Sequence, residues 1–261
     1  MEKELDMSGR LTGQCSIVIG GGGAIGRAIA LGLAKEGASV AVVDANAPTA
    51  QAVSDEIRAM GGQSLGLAVD ICQYDAVEQM VRTVREKLGS IDILVNCAGG
   101  SARRRMQPFK DQSIEVIDWM LDVNLRGPLY CIRAAVGDMV EKQRGRIINI
   151  ASNVATGGWF KCVEYGAAKG GILSATRSLA MELGPLNITV NCVSPGLIQR
   201  EGEKPADELA FAQRTSFVNR IGTQEDIARM VVFLALPESD FITGQNYIID
   251  GGRSLGLKDR Y

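Results

Sequence analysis

The chain of 261 residues contains no histidine. That absence removes the side chain most often used as a general base near neutral pH and the commonest protein ligand for transition metals. Its six cysteines, at 15, 72, 97, 131, 162 and 192, stand at least 25 residues apart with no C-x-x-C pair. This spacing argues against a zinc site and against a disulfide framework, so no metal is expected. Charge of one sign is also lacking: 28 basic against 30 acidic residues leave a net charge of −2 and no footprint for nucleic acid. No run approaches the 18 apolar residues of a membrane span. The charged opening Met1-Glu2-Lys3-Glu4-Leu5-Asp6 has neither the apolar core nor the cleavage site of a signal peptide, so a cytoplasmic location without membrane partners is expected.

What is present is a rhythm. Hydrophobic residues make up 46% of the chain, enough for a sizeable core, and β-rich apolar runs alternate with longer helical patterns. Candidate strands are Ser16 to Ile19, Ser39 to Val43, Ser64 to Val69, Ile91 to Val95, Arg146 to Ile150, Ile188 to Val193 and Asn246 to Ile249. Helical patterns over Ile25 to Glu36, Ala50 to Met60, Ala76 to Leu88 and Tyr165 to Leu183 are closed by Gly37, Gly61, Gly89 and Gly184. Alternation of this kind predicts an α/β, doubly wound Rossmann fold: one seven-stranded parallel sheet with helices on both faces, in a single domain spanning 1–261. A charged segment at about 197–218, carrying Gly202 and Pro205, interrupts the rhythm and is expected to form a lid over a site.

After the first strand comes Gly20-Gly21-Gly22-Gly23-Ala24-Ile25-Gly26, and a helical pattern follows. Glycines there let the backbone approach a pyrophosphate at a helix N-terminus, which makes Gly20, Gly23, Ala24, Ile25 and Gly26 candidate cofactor contacts. Asp44 ends the second strand 18 residues beyond Gly26, where a carboxylate accepts hydrogen bonds from ribose hydroxyls and repels a 2′-phosphate. No Arg or Lys lies in the glycine turn or just after Asp44, so the expected cofactor is NAD rather than NADP. Asp70 and Ile71, after the third strand, suit the adenine edge, and Asn96, Ala98 and Gly99 put small residues where a flat ring passes.

Hydride transfer at a carbonyl also needs a proton donor or acceptor, and without histidine the choice falls on Tyr, Lys, Cys or a carboxylate. Tyr165 and Lys169, four residues apart, share one helix face. A phenol acts as a base near neutral pH only where cations stabilise its anion by about 3 to 4 kcal/mol, and an adjacent ammonium with a positive nicotinamide ring would supply it. A Tyr-x3-Lys pair alone proves little, but Ser152 lies 13 residues before Tyr165 and Asn124 lies 45 before Lys169. The four together arise by chance in roughly 3 of 10,000 such chains.

With these residues the sequence resembles the short-chain dehydrogenase/reductase family, and the resemblance runs through Asn96-Cys97-Ala98-Gly99 and Pro195-Gly196 to Asp250-Gly251-Gly252. It implies that Tyr165 exchanges the proton, Ser152 holds the substrate oxygen, Lys169 binds the nicotinamide ribose and Asn124 supports a water-linked relay. It also implies contacts of Pro195, Gly196 and Ile198 with the cofactor, and a homotetramer built on the long helices flanking the fifth strand and on the C-terminal strand region. Four positions depart from the family pattern. Ile19 stands where a Thr usually precedes the first glycine, Ala24 replaces the middle glycine, Cys97 replaces the second Asn of Asn-Asn-Ala-Gly, and Arg200 stands where a Thr often contacts the nicotinamide amide.

The expected function is therefore hydride transfer between NAD(H) and a secondary alcohol or ketone. Two alternatives stay open: a 3-oxoacyl-acyl-carrier-protein reductase, and an NAD-binding regulator that has lost the chemistry. Asp44 argues against the first, as do Gln143 and Leu186 where such reductases usually present arginines; the intact tetrad argues against the second. For the substrate, Arg103-Arg104-Arg105, Trp159-Phe160-Lys161 and Arg200 suggest an aromatic wall with a cationic rim. Arg104, Trp159 and Arg200 are the candidate contacts, and a small polyol, cyclic or anionic substrate is the expected partner.

Overall fold

Residues 15–19, Cys-Ser-Ile-Val-Ile, are buried at all five positions, the pattern of a strand covered on both faces. The computed structural model describes residues 9–101, 105–199, 210 and 213–256. It shows seven strands: β1 (Cys15–Ile19), β2 (Ser39–Asp44), β3 (Ser64–Ala68), β4 (Ile91–Asn96), β5 (Gly145–Ile150), β6 (Ile188–Pro195) and β7 (Asn246–Ile249). They form one parallel sheet in the order β3-β2-β1-β4-β5-β6-β7, the doubly wound arrangement expected from the sequence. The chain reverses direction across the sheet between β1 and β4, the place where open α/β sheets bind ligands beyond their strand ends.

The period-two alternation of the strands decides which helix each side chain meets. Val18, Val40, Val42, Ile93, Val95 and Ile148 point to the face covered by α1 (Ala24–Lys35), α2 (Ala47–Ala59) and α8 (Gln224–Ala235). Ile17, Ile19, Ala41, Val43, Leu94 and Ile147 point to the opposite face, under α3 (Tyr74–Leu88), α5 (Gly127–Lys142) and α7 (Val163–Leu183). Ile17 is fully buried, so truncating it to Ala would cost about 2 to 5 kcal/mol.

The glycine stops hold at three places and fail at one. Gly37, Gly61 and Gly89 take positive φ at the ends of α1, α2 and α3. Gly184 instead keeps φ −56 and leads into a 3-10 turn, Gly184–Leu186, and the left-handed residue is Asn187 at φ 55. The Pro185 that follows cannot donate a backbone hydrogen bond, which suits a tightening turn rather than a glycine cap.

Between β4 and β5 the helix is not uniform. α4 (Ile114–Leu121) passes into a π turn over Asp122–Arg126 before α5 continues. Short helix α6 (Val154–Gly157) lies between β5 and α7. Among the described residues no helix is long and apolar enough to cross a membrane.

Candidate active site

The strand ends open onto a cleft of about 890 Å³, within the size range of ligand sites. Its first half is built by the β1–α1 turn. Gly26 has to be glycine, because a Cβ there would overlap the Gly20 carbonyl oxygen. α1 begins after Gly23 with no side-chain cap and no acid in its first turn, so its free N–H groups and positive dipole end face an incoming anion unopposed. Gly20, Gly23, Ala24, Ile25 and Gly26 all line the cleft.

Asp44 stands beside this turn and is held by it: one carboxylate oxygen accepts from Gly22 N at 3.1 Å and the other from Asn46 N at 3.0 Å. Each oxygen keeps a further lone pair for a hydroxyl donor. Asp70 accepts from Cys72 N at 2.9 Å, and Asp70 and Ile71 line the same end of the cleft. A glycine cradle at a helix N-terminus, flanked by two carboxylates, fits a dinucleotide.

Chemistry-bearing side chains gather in the other half. Ser152 follows β5, and its hydroxyl accepts from Val154 N at 3.2 Å, which fixes its side chain at the start of α6. Tyr165 and Lys169 project from the first turns of α7, and Ser152, Tyr165 and Lys169 all line the cleft. Lys169 is 4% exposed; its ammonium donates to the Ile150 carbonyl at 2.8 Å and lies 5.9 Å from the centre of the Tyr165 ring. Burial pushes the Lys169 ammonium down to about 8, because the charged form loses its hydration.

Asn124 sits one layer behind, in the π turn. Its amide donates to the Met120 carbonyl at 3.1 Å and the Gly100 carbonyl at 3.3 Å, and its oxygen accepts from Gly100 N at 3.1 Å. The wide turn leaves a main-chain carbonyl for a side chain to satisfy, a common device of π bulges at functional sites. Gly99, at φ +136, separates Asn124 from Lys169; a Cβ there would meet the Asn124 oxygen and come within 3.3 Å of Lys169 Nζ.

Other expected contacts divide. Ala98, Gly99, Pro195, Gly196, Ile198 and Trp159 line the cleft. Asn96 does not: it is buried below the floor, and its amide donates to Asn149 Oδ1 at 2.9 Å. The period of β4 turns it inward, and Asn149 continues the chain to Thr176 at 3.0 Å, so Asn96 braces the sheet under the site. Arg104 and Arg200 lie outside the described residues, as does most of the expected lid at 197–218.

Two features escaped the sequence. Arg253 lines the cleft with its guanidinium 5.1 Å from the centre of the Trp159 ring. It directly follows Asp250-Gly251-Gly252, which was the available signal. Beside Tyr165, Glu164 is buried and accepts from Gln112 Nε2 at 3.0 Å, and that same amide reaches the Arg105 carbonyl at 3.3 Å. The pair fastens the segment after β4 to the start of α7. No periodicity announces a contact between residues 52 positions apart.

Residues 21–254 match the family model described as Enoyl-(Acyl carrier protein) reductase. The chain is 40% identical over 247 residues to the short-chain reductase protein NovJ of Streptomyces niveus, covering 91% of this chain and 93% of that protein. It is 38% identical over 242 residues to the (2S)-[(R)-hydroxy(phenyl)methyl]succinyl-CoA dehydrogenase subunit BbsD of Thauera aromatica, covering 92% and 96%. It is also 38% identical over 240 residues to the 3-oxoacyl-[acyl-carrier-protein] reductase FabG of Staphylococcus aureus, covering 91% and 96%. A crystal structure from Sinorhizobium meliloti 1021, assigned as a short-chain alcohol dehydrogenase, superposes with a TM-score of 0.89 at 31% identity, over 95% of this chain and 98% of that one. A parallel sheet in this order, a glycine cradle at its switch point and matches of this length lead to one conclusion: the chain belongs to the short-chain dehydrogenase/reductase family of oxidoreductases.

Proposed function

We propose that the protein is an NAD(H)-dependent dehydrogenase/reductase acting on a secondary alcohol or ketone, with Tyr165 as acid/base. The observation that carries this reading is the buried Lys169 ammonium, anchored on Ile150 and set against the Tyr165 ring in the same cleft as Ser152. The family uses nicotinamide cofactors, and such a cofactor supplies or accepts the hydride. Ser152 holds the substrate oxygen by its hydroxyl. The Tyr165 hydroxyl gives its proton to that oxygen in reduction and takes it back in oxidation. Lys169 favours the phenolate electrostatically and offers its remaining N–H donors to a ribose. Asn124 orders Gly100 and the segment after Gly99, with a water-linked relay as its further role.

The preference for NAD rests on where the charges lie. Of the charged side chains among the described lining residues, Asp44 and Asp70 stand at the adenosine end, and Lys169 and Arg253 at the chemical end. Arg27, near the cradle, is paired with Glu56 at 2.5 Å. A ribose 2′-phosphate would meet carboxylates there and no described cation.

A second reading, reduction of a 3-oxoacyl group on an acyl carrier protein, is favoured by the 38% identity to FabG. The name of BbsD favours a dehydrogenase of a benzylic secondary alcohol carried on a succinyl thioester. The test is steady-state kinetics with NAD and NADP on a panel of hydroxy and oxo compounds, with Tyr165→Phe as control. Loss of at least about 100-fold in kcat with NADH affinity retained is expected. A Tyr165→Phe variant keeping more than about a tenth of the rate refutes the acid/base role.

A further inference from the structure

We propose that Glu164 is a positioning residue: through Gln112 it holds the peptide leading into Met106 against the turn of α7 that carries Tyr165, so that one wall of the substrate half and the acid/base are set together. This rests on the dehydrogenase reading and extends it to the residues that place the substrate. Successive residues on a helix point about 100° apart. At the start of α7 Val163 is exposed, Glu164 is buried and Tyr165 lines the cleft. An acid in a first helical turn suits the dipole, but it can do so from solvent; a buried one has given up its hydration and needs a partner. That partner is the Gln112 amide, at 3.0 Å.

Gln112 is itself buried, and its amide is used on every side. The nitrogen donates to Glu164 Oε1 at 3.0 Å and to the Arg105 carbonyl at 3.3 Å. The oxygen accepts from Ser113 N and from Gln107 Nε2, both at 3.1 Å. Two donors and two lone pairs are thereby spent. Gln107 Nε2 donates as well to the Asp111 carbonyl at 2.7 Å. The segment 105–113 has one short 3-10 turn, Phe109–Asp111, and is otherwise gathered around this one side chain. Of these bonds, the one to Glu164 is the one that leaves the segment, and it lands one residue from Tyr165.

The Arg105 carbonyl belongs to the peptide that joins Arg105 to Met106, and Met106 is the described residue of 105–113 that lines the cleft. Fixing the plane of that peptide fixes the point from which the Met106 side chain starts. A thioether chain adapts by rotation, so it forms a wall only where its backbone is held still. A substrate would then meet Met106 on one side and Tyr165 on the other, with both hung from the same Glu164–Gln112 bond. A displacement of about 1 Å between them can cost up to about 100-fold in rate. Glu164 does not line the cleft, so it acts through placement and not through contact.

The test combines steady-state kinetics on the best compound of the hydroxy and oxo panel with NADH binding and with hydrogen exchange of the NADH complex. Glu164→Ala should raise KM at least about fivefold and lower kcat about two- to tenfold, with the NADH Kd within about twofold of wild type. Glu164→Gln, whose amide oxygen still accepts from Gln112, should return KM and kcat to within about threefold and leave the pH profile unchanged. Glu164→Met with Gln112→Met fills the same space and orphans neither partner, so it should melt close to wild type yet repeat the rise in KM. That double variant keeps the test decisive if Glu164→Ala folds poorly. Amides of 105–113 should exchange faster in Glu164→Ala while those of the glycine turn at 20–26 do not change. Unchanged KM and kcat in Glu164→Ala overturn the proposal, as does equal exchange in 105–113. So does a Glu164→Gln variant as impaired as Glu164→Ala, since charge and not the bond would then matter, or a loss confined to NADH affinity. Failure of the dehydrogenase reading looks different: no compound turns over in the wild type, and the positioning role falls with it, although exchange in 105–113 still quickens in Glu164→Ala.

Discussion

Replacing Lys169 with Met removes a charge that folding forces into an apolar place. The ammonium is 4% exposed and pushed down to about 8 from 10.5 by burial. Because the folded value lies below the unfolded one, the unfolded chain binds more protons between about pH 8 and 10.5, and stability rises with pH across that window. The cost of burying the charge works out at about 3 kcal/mol at pH 7 and about 1 kcal/mol at pH 10. Met matches the shape without the charge, so Lys169→Met is relieved of that cost but orphans the Ile150 carbonyl, a pH-independent loss of about 1 to 3 kcal/mol. The absolute stability at pH 7 is therefore a close contest. Its change with pH is not: relative to wild type, the variant should lose about 2 kcal/mol of advantage between pH 7 and pH 10. Urea unfolding of the two cofactor-free proteins at both pH values measures this, and a relative change below about 1 kcal/mol would refute the account of Lys169 as a buried cation. The same variant should lose turnover, since it cannot stabilise a phenolate.

Asp44→Ala should narrow the gap between NAD and NADP chiefly by improving kcat/KM with NADP; comparable values for the two cofactors in the wild type would remove the basis for the NAD assignment. Glu164→Ala should lower stability by about 1 to 3 kcal/mol, because Gln112 then loses a buried acceptor, with Glu164→Gln restoring part of it; equal melting temperatures for all three proteins would mean the pair is incidental. A homotetramer is expected from the family, and light scattering that gives a single monomer mass at micromolar protein contradicts it.

How much of this was legible beforehand depends on which physical signal encoded it. Strands covered on both faces leave apolar runs, and all seven were found within two residues of their observed ends, as with Ser16 for Cys15 and Val193 for Pro195. Tyr165 and Lys169 were legible because helical spacing puts residues four apart on one face. Asn96 could not be placed from sequence because a strand end offers alternate residues to opposite sides, and its residue type suits both a ligand contact and the buried bracket its amide makes with Asn149. The π turn at Asn124 has no sequence period of its own, and the Gln112–Glu164 bond joins distant segments, so neither left a local trace. Arg253 was missed for a different reason: three consecutive arginines drew attention first, whereas Arg253 stands singly, carried into the cleft by a glycine turn.

The departures at Ile19 and Cys97 bear on the same chemistry. A Thr hydroxyl before the first glycine would tie neighbouring loops, yet the loops here are tied without one. Cys97 N donates to the Ile19 carbonyl at 2.9 Å, and Gly20 N and Gly21 N both donate to the Val43 carbonyl, at 2.7 and 2.9 Å. Main-chain bonds hold β1, β2 and β4 together at their ends, so the side chains at 19 and 97 are released from that duty. What they contribute instead is an apolar floor. Ile19 is a hydrocarbon, and burial pushes the Cys97 thiol up to about 12, so it stays neutral at physiological pH. A floor of this kind withholds water from Lys169, and that desolvation is the leading cause of its lowered value. It also weakens screening between Lys169 and Tyr165, so an ammonium 5.9 Å from the ring acts on the phenol more strongly than it would in water. Ile19→Thr with Cys97→Asn, which restores the family pattern, should therefore raise the Lys169 value and reduce the ammonium's pull on the phenol. The alkaline limb of the rate profile would move accordingly, and an unchanged profile would show that the floor's polarity has no part in tuning the site.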